Sequence, residues 1–549
     1  MLRARSWVLA CLALGLPLLL PVAVVGSSVF APAGEAWAHL AATVLPGYVA
    51  TTAILMAAVL AGVVVVGVGC AFCVTALEFP GRRILEWALL LPLAVPAYVM
   101  AYAYTDWLQF SGPVQSWIRA ATGWGRADYW FPDIRSVGGA AAMFVCVLYP
   151  YVYLLTRVAF LEQSASLAEA GRTLGLSPRA TFFRLRLPMA RPAIAAGAAL
   201  ALMETLADFG TVSYFGVQTF TTGIFRAWMS MGEPVAAAKL SVLLLAFVAL
   251  VVVSERLARG RARFSEGARK GRRSRRTMRG ASVLLPWLAC GLPLVAGFIL
   301  PVGLLLKMSL GGGDTQFGAR FARLAFNSAT LALATAVFAV AIAVVLAYGA
   351  RISRSTVATG VNRLAGLGYA VPGAVIAIGV LIPVAAADRW LASAGLTSGL
   401  LLTGSIGVLV YAYLIRFLGV ALQSVEAGLA RVTPHMEDAA RSLGMGFGRT
   451  LLRVHAPILR SSLVTAALLV FVDVMKELPA TFVMRPFNFD TLAVQAYNLA
   501  SDERLAEAST ASLAIVAVGL LPVIVASRRL VGRDASAAAL AAAPAPARA

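Results

Sequence analysis

Twelve apolar runs of about twenty residues constrain this chain more than any other feature. They fall at roughly 7–31, 48–76, 83–105, 138–160, 191–214 and 236–257, then at 282–306, 327–350, 364–387, 402–423, 460–482 and 507–527. A helix of about twenty apolar residues crosses the ~30 Å hydrocarbon core of a bilayer. Lipid offers no partner to an unpaired peptide group, so each run has to be helical. The expected fold is an all-α polytopic membrane protein with about twelve transmembrane helices. Its 60% hydrophobic and 13% charged residues and mean hydropathy of +0.83 lie outside the soluble range. The net charge of +21 would suit nucleic acid only if a soluble domain displayed it, and no segment between the runs is long enough. Cytoplasmic loops that retain Lys and Arg explain the charge better.

A repeat organises the twelve runs. Residues 169–188 read EAGRTLGLSPRATFFRLRLP, and 269 positions later residues 438–457 read DAARSLGMGFGRTLLRVHAP. Glu169, Ala170, Gly171 and Arg172 correspond to Asp438, Ala439, Ala440 and Arg441. Gly175 and Gly444 follow six places after the acid, and Pro188 and Pro457 thirteen places after the glycine. Each copy lies between the fourth and fifth run of its half. The chain therefore divides into a first six-helix half (1–258, loop 162–190), a basic linker (259–280), a second six-helix half (281–533, loop 424–459) and a disordered Ala/Pro-rich tail (534–549). Six is even, so the halves share one orientation and both loops face one side. Eleven Lys and Arg between Arg256 and Arg279 put the linker, and with it both termini, in the cytoplasm. The linker reads as a solvated tether near anionic lipid. Arg3 and Arg5 before the first run, with Ala36-Trp37-Ala38 after it, mimic a secretion signal. The run is longer than a signal core and reads as an uncleaved first helix.

Within the first copy, a short helix is expected to stop at Gly175, the residue type that accepts a left-handed cap. Ser177 then caps a second helix with Pro178 at its first position. This helix sets Phe182, Phe183 and Leu187 among Arg179, Arg184 and Arg186, and Pro188 closes it. The second copy lacks Ser-Pro, which leaves more to Gly444, Gly446 and Gly448.

Ionisable groups inside membrane spans are costly and are functional candidates by default. Glu204 and Asp208 match Asp473 and Glu477 at the same offset of 269. Each pair is spaced i, i+4, which on a continuous helix puts both carboxylates on one face. Facing helices would bring all four to a shared path; pairing with Lys476 or capping near the outer mouth are the alternatives. Cys70 and Cys73 form C-x-x-C in apolar surroundings and read as packing residues. His39, His435 and His455 have no metal-ligand spacing, and a metal site is left unassigned. There is no G-x-x-x-x-G-K-[ST] phosphate cradle, so energy must come from another subunit or a gradient.

The doubled pattern closely resembles the EAA loop of bacterial ABC-importer permeases. The resemblance implies that each loop is a coupling helix docking on a separate ATPase subunit, hence two ATPases, with a periplasmic substrate-binding protein delivering cargo. The stretches ALMETLADFGTVSYFG (201–216), TTGIFRAWMSMGEPVAAAKL (221–240) and KELPATFVMRPFNFDTLAVQAYNLASDERLAEAS (476–509) look like the fused-halves permeases of ferric-iron importers. That likeness implies an inner-membrane translocation subunit without enzymatic activity or a cofactor of its own. Hard Fe³⁺ takes oxygen ligands, which Glu204, Asp208, Asp473, Glu477 and Tyr149, Tyr151 and Tyr153 could supply. Permeases for thiamine and for other small cations or oxyanions share the same framework. A proton-driven secondary transporter and a non-transporting scaffold are the readings from other classes.

Overall fold

The computed structural model describes residues 2–32, 34–163, 171, 173–259, 275–311, 318–397 and 399–542. Eleven of its helices are long and apolar enough to cross a membrane. In the first half they are Arg5–Phe30, Leu45–Ala76, Val137–Glu162, Arg179–Ala207 and Pro234–Arg259. In the second they are Gly280–Gly311, Ala319–Ser353, Gly373–Ser393, Ile406–Leu429, Phe447–Met475 and Leu505–Val525. A bent pair, Arg82–Ala94 and Ala97–Thr122, meets at 92° and supplies a twelfth span. Counting it third in chain order gives six spans per half, as the apolar runs imply.

The bend has a local cause. Pro96 pushes the residue before it out of the helical region, and Val95 is extended (φ −97°, ψ 114°). The same Val-Pro step recurs in the second half, where Val371 is extended (φ −81°, ψ 122°) between the turn Leu367–Ala370 and the ninth span. The second, fourth and fifth spans form one packed group, and the eighth, tenth and eleventh form its counterpart. Small residues let these helices close up; a Cβ on Gly197 would lie 2.7 Å from the Val152 Cα.

The halves are interlocked. The first span packs on the eighth and ninth, in the other half, while the seventh crosses onto the second and third. On the side away from the two loops, Arg135 pairs with Glu503 across the halves at 2.6 Å. Inside the first half, Glu86 accepts from Arg82 (2.8 Å) and from the Arg157 Nε (2.9 Å), all three side chains being buried. A buried charge is tolerated only when paired and hydrogen-bonded in this way.

Two expectations need correction. The linker is not a free tether along its whole length. Residues 260–274 lie outside the described residues, but Arg276–Thr277 pairs in parallel with Leu77–Glu78, and Arg275 reaches Glu78 at 3.3 Å. Extended backbone after a span leaves peptide groups unpaired, and this two-residue ladder satisfies them. The backbone of 534–542 also continues the last helix, Leu505–Ala542, where disorder was expected. Its alanines have the highest helix propensity of any residue, which the compositional argument overlooked.

Candidate translocation site

Both loops are built on one plan. Gly175 (φ +69°) and Gly444 (φ +75°) take the left-handed conformation. Past each glycine a backbone N–H returns five residues, Leu176 to Gly171 at 2.9 Å and Met445 to Ala440 at 3.1 Å, which is the wide ring of a Schellman cap. Ser177 accepts from the Ala180 N–H, as its position before Pro178 suggests. Each loop then passes through one turn of π-helix, Phe182–Arg186 or Leu451–His455. Pro188 and Pro457 lack an N–H, and the wider turn is how the chain enters the next span around them.

The π-turn divides the repeated apolar pairs. Phe182 turns inward against Phe72 (ring centroids 4.7 Å apart), whereas Phe183 and Leu452 are 64% and 71% exposed. Leu174 and Leu443, at the two caps, are exposed as well. Two matching apolar knobs per loop thus stand free among cations. Gly171 is buried against Thr181, where a Cβ would come within 2.6 Å of the hydroxyl, and Ala440 is buried at the equivalent place. Asp438 and Arg441 form an exposed pair at 2.8 Å, and Ala439 lies between them on the helix Pro434–Ser442. Glu169, Ala170 and Arg172 lie outside the described residues. Sequence reasoning missed the anchor of the second loop: Glu437 accepts from Arg351 at 2.7 Å and lies 3.4 Å from the His455 Nε2.

At the far ends of the fifth and eleventh spans is a cavity of about 100 Å³, lined from both halves. That is room for several water molecules or a small solvated ion. Glu204, Asp208, Asp473 and Glu477 all line it, so the four carboxylates do converge. They do not act as two equivalent i, i+4 pairs. The fifth span ends at Ala207 and the eleventh at Met475, so the helical-face argument fails at both later carboxylates. Asp208 instead caps the next short helix, accepting from the Thr211 N–H (2.8 Å), the Thr211 hydroxyl (3.1 Å) and the Val212 N–H (3.3 Å). Glu477 accepts from the Ala480 N–H at 3.2 Å and faces Arg416 at 3.4 Å.

Among the described residues, Glu204 and Asp473 are the pair whose partners are side chains alone. Tyr369 donates to Glu204 at 2.7 Å from the opposite half, and Lys476 pairs with Asp473 at 2.9 Å. Tyr98 reaches the other way, its hydroxyl 3.4 Å from the Lys476 carbonyl. Tyr98 and Tyr369 flank the two Val-Pro breaks, so each elbow reaches the end of the opposite half's fifth span. Of the three tyrosines considered from sequence, Tyr151 lines the cavity. Tyr149 is buried elsewhere, and Tyr153 donates to the Glu86 carbonyl at 2.6 Å. Residues two apart on a helix point about 200° apart, so adjacent members of the trio could not share a target. Arg416 and the two elbow tyrosines were missed; the repeated Val-Pro step was the available signal. Beyond the cavity Phe209, Phe225, Phe482 and Tyr497 stack across the halves, Phe209 on Phe225 at 3.7 Å.

Comparison with known proteins agrees with this architecture. Residues 63–260 match the family described as the inner membrane component of binding-protein-dependent transport systems. The Fe(3+)-transport system permease protein FbpB 2 of Haemophilus influenzae is 27% identical over 490 residues, covering 86% of this chain and 88% of that protein. The molybdenum transport permease ModB of Escherichia coli is 26% identical, covering 35% of this chain and 84% of ModB. The sulfate transport permease CysT of the same species is 26% identical, covering 34% and 67%. With twelve spans, two matching loops and these relatives, the chain is similar over most of its length to the permeases of binding-protein-dependent importers, which are multi-pass inner-membrane translocation components rather than enzymes.

Proposed function

We propose that this permease carries ferric iron from the periplasm to the cytoplasm. The observation behind this reading is the charge of the cavity: four carboxylates face only two cations, Arg416 and Lys476, leaving a formal excess of two negative charges. Phenol oxygens from Tyr151 and Tyr369 add donors of the kind a hard trivalent ion prefers. One relative that matches most of the chain is named for Fe(3+) transport. In this reading two ATPase subunits seat on the two loops, with Glu169, Arg172, Arg441 and the exposed apolar knobs in the contact. ATP-driven closure pulls the loops together and rocks the halves about the cavity, which opens alternately to the two sides. The chain itself carries no resident cofactor.

A second reading is an oxyanion. Arg416 lines the cavity, and its Nε has no hydrogen-bond partner among the described residues; the molybdenum and sulfate relatives point the same way. One cationic N–H against an acidic excess makes this the weaker fit. The test is uptake of radiolabelled ferric iron, thiamine, sulfate and molybdate by a strain lacking the chain, with and without the gene restored. Iron uptake should be lost and restored. Unchanged iron uptake with loss of another solute would overturn the assignment.

A further inference from the structure

Resting on the cation reading above, we propose that Lys476 is a tethered counter-cation whose ammonium group holds the cargo position between transport events and has to be displaced by the incoming ion. Its Nζ lies 2.9 Å from the Asp473 carboxylate, and it is in electrostatic reach of Glu204 and Tyr151. A third of the side chain is open, and what it opens onto is the cavity. Glu204, from the other half, is held by Tyr369 so that its carboxylate stays at the same cavity. The repeat itself does not call for a lysine here: the equivalent residue of the first half is Ala207. The carboxylates obey the pseudo-symmetry and the lysine breaks it.

The physical consequence is selectivity. Unneutralised, two carboxylates at a protein-lined cavity would collect any cation. An ammonium on a short stem competes at the high effective concentration of a tethered group, which a monovalent ion cannot match at one charge. Coulomb attraction scales with the charge of the ion, so a trivalent ion can evict the lysine where Na⁺ and K⁺ do not. The flexible four-carbon stem lets the ammonium swing aside and return.

The test uses the full-length chain purified in a neutral detergent, with Tb³⁺ as the probe, since tyrosines beside the site sensitise its luminescence. Lys476→Met and Lys476→Gln should bind Tb³⁺ at least tenfold more tightly than the unaltered chain. Lys476→Arg, which keeps a cation, should stay near the unaltered affinity. Adding Glu204→Gln and Asp473→Asn to Lys476→Met should remove the gain. If all forms bind equally through Glu204 and Asp473, displacement is wrong and the cation cavity stands. Absence of any binding that depends on these carboxylates, in variants eluting as monodisperse protein, would overturn both. A Lys476→Arg affinity as high as that of Lys476→Met would also sink the idea, because only volume would then matter.

Discussion

At the scale of single residues, four carboxylates that look equivalent in the sequence separate into two kinds. Asp208 spends its oxygens on backbone N–H groups at a helix start. Replacing a capping Asp by Ala costs about 1 kcal/mol, within a range of roughly 0.5–2, whereas Asn caps as well. Asp208→Ala should therefore lower the thermal unfolding midpoint of the purified chain and Asp208→Asn should leave it in place. Glu204→Gln with Asp473→Asn should do the reverse, cutting uptake several-fold at unchanged stability. Normal uptake by that double variant would remove the pair from the transport path. Glu86 is a third kind, buried between two arginines. Glu86→Ala leaves the buried Arg157 without its anion and Arg82 with the more exposed Glu78 alone, and breaking a buried pair costs about 3–5 kcal/mol. Little folded protein should reach the membrane, measured as the monodisperse fraction after extraction.

Among the elements, the two loops are the ones whose shape was most legible. Left-handed glycine, helix stop and following cap all come from chemistry within a few residues, and the structure places Gly175, Gly444 and Ser177 accordingly. A side chain at either glycine meets open space but has to take a positive φ, at about 1 kcal/mol or more. Gly175→Asp and Gly444→Asp should therefore leave the permease in the membrane while tilting the following helix and uncoupling it from the ATPase. Phe183→Asp with Leu452→Asp keeps the backbone and removes the exposed apolar knobs. It should release the ATPase from membranes, read by co-sedimentation. Full ATP-dependent uptake by both pairs of variants would contradict coupling through these loops. The bend in the third span and the Val-Pro step before the ninth were less legible, because an apolar run containing prolines reads equally well as a straight or a bent helix.

Across the whole molecule, the first and seventh spans each pack on the other half, so the covalent linker is not what holds the halves together. Severing the chain between residues 266 and 267 and producing both pieces should give a complex that co-purifies, whereas either piece alone should be degraded. Failure to co-purify would mean that the interlocked packing is too weak without fusion. Reporter fusions at Gly260 and Ala535 should be active only with a cytoplasmic reporter; a periplasmic signal at either would invert the proposed orientation.

What the sequence by itself determined was set by short-range physics: span number from lipid's inability to satisfy a peptide group, the repeat from its fixed offset, and the loop caps from glycine, serine and proline. What only the tertiary structure decided depends on contacts between residues far apart in the chain. The exchange of first spans between halves, the reach of Tyr98 and Tyr369 across the interface, and the division of the carboxylates into those held by backbone N–H groups and those held by side chains are all of this kind. A periodic pattern says which face of a helix is apolar. It does not say which neighbour covers that face or where the helix stops, and both depend on packing that no local window contains.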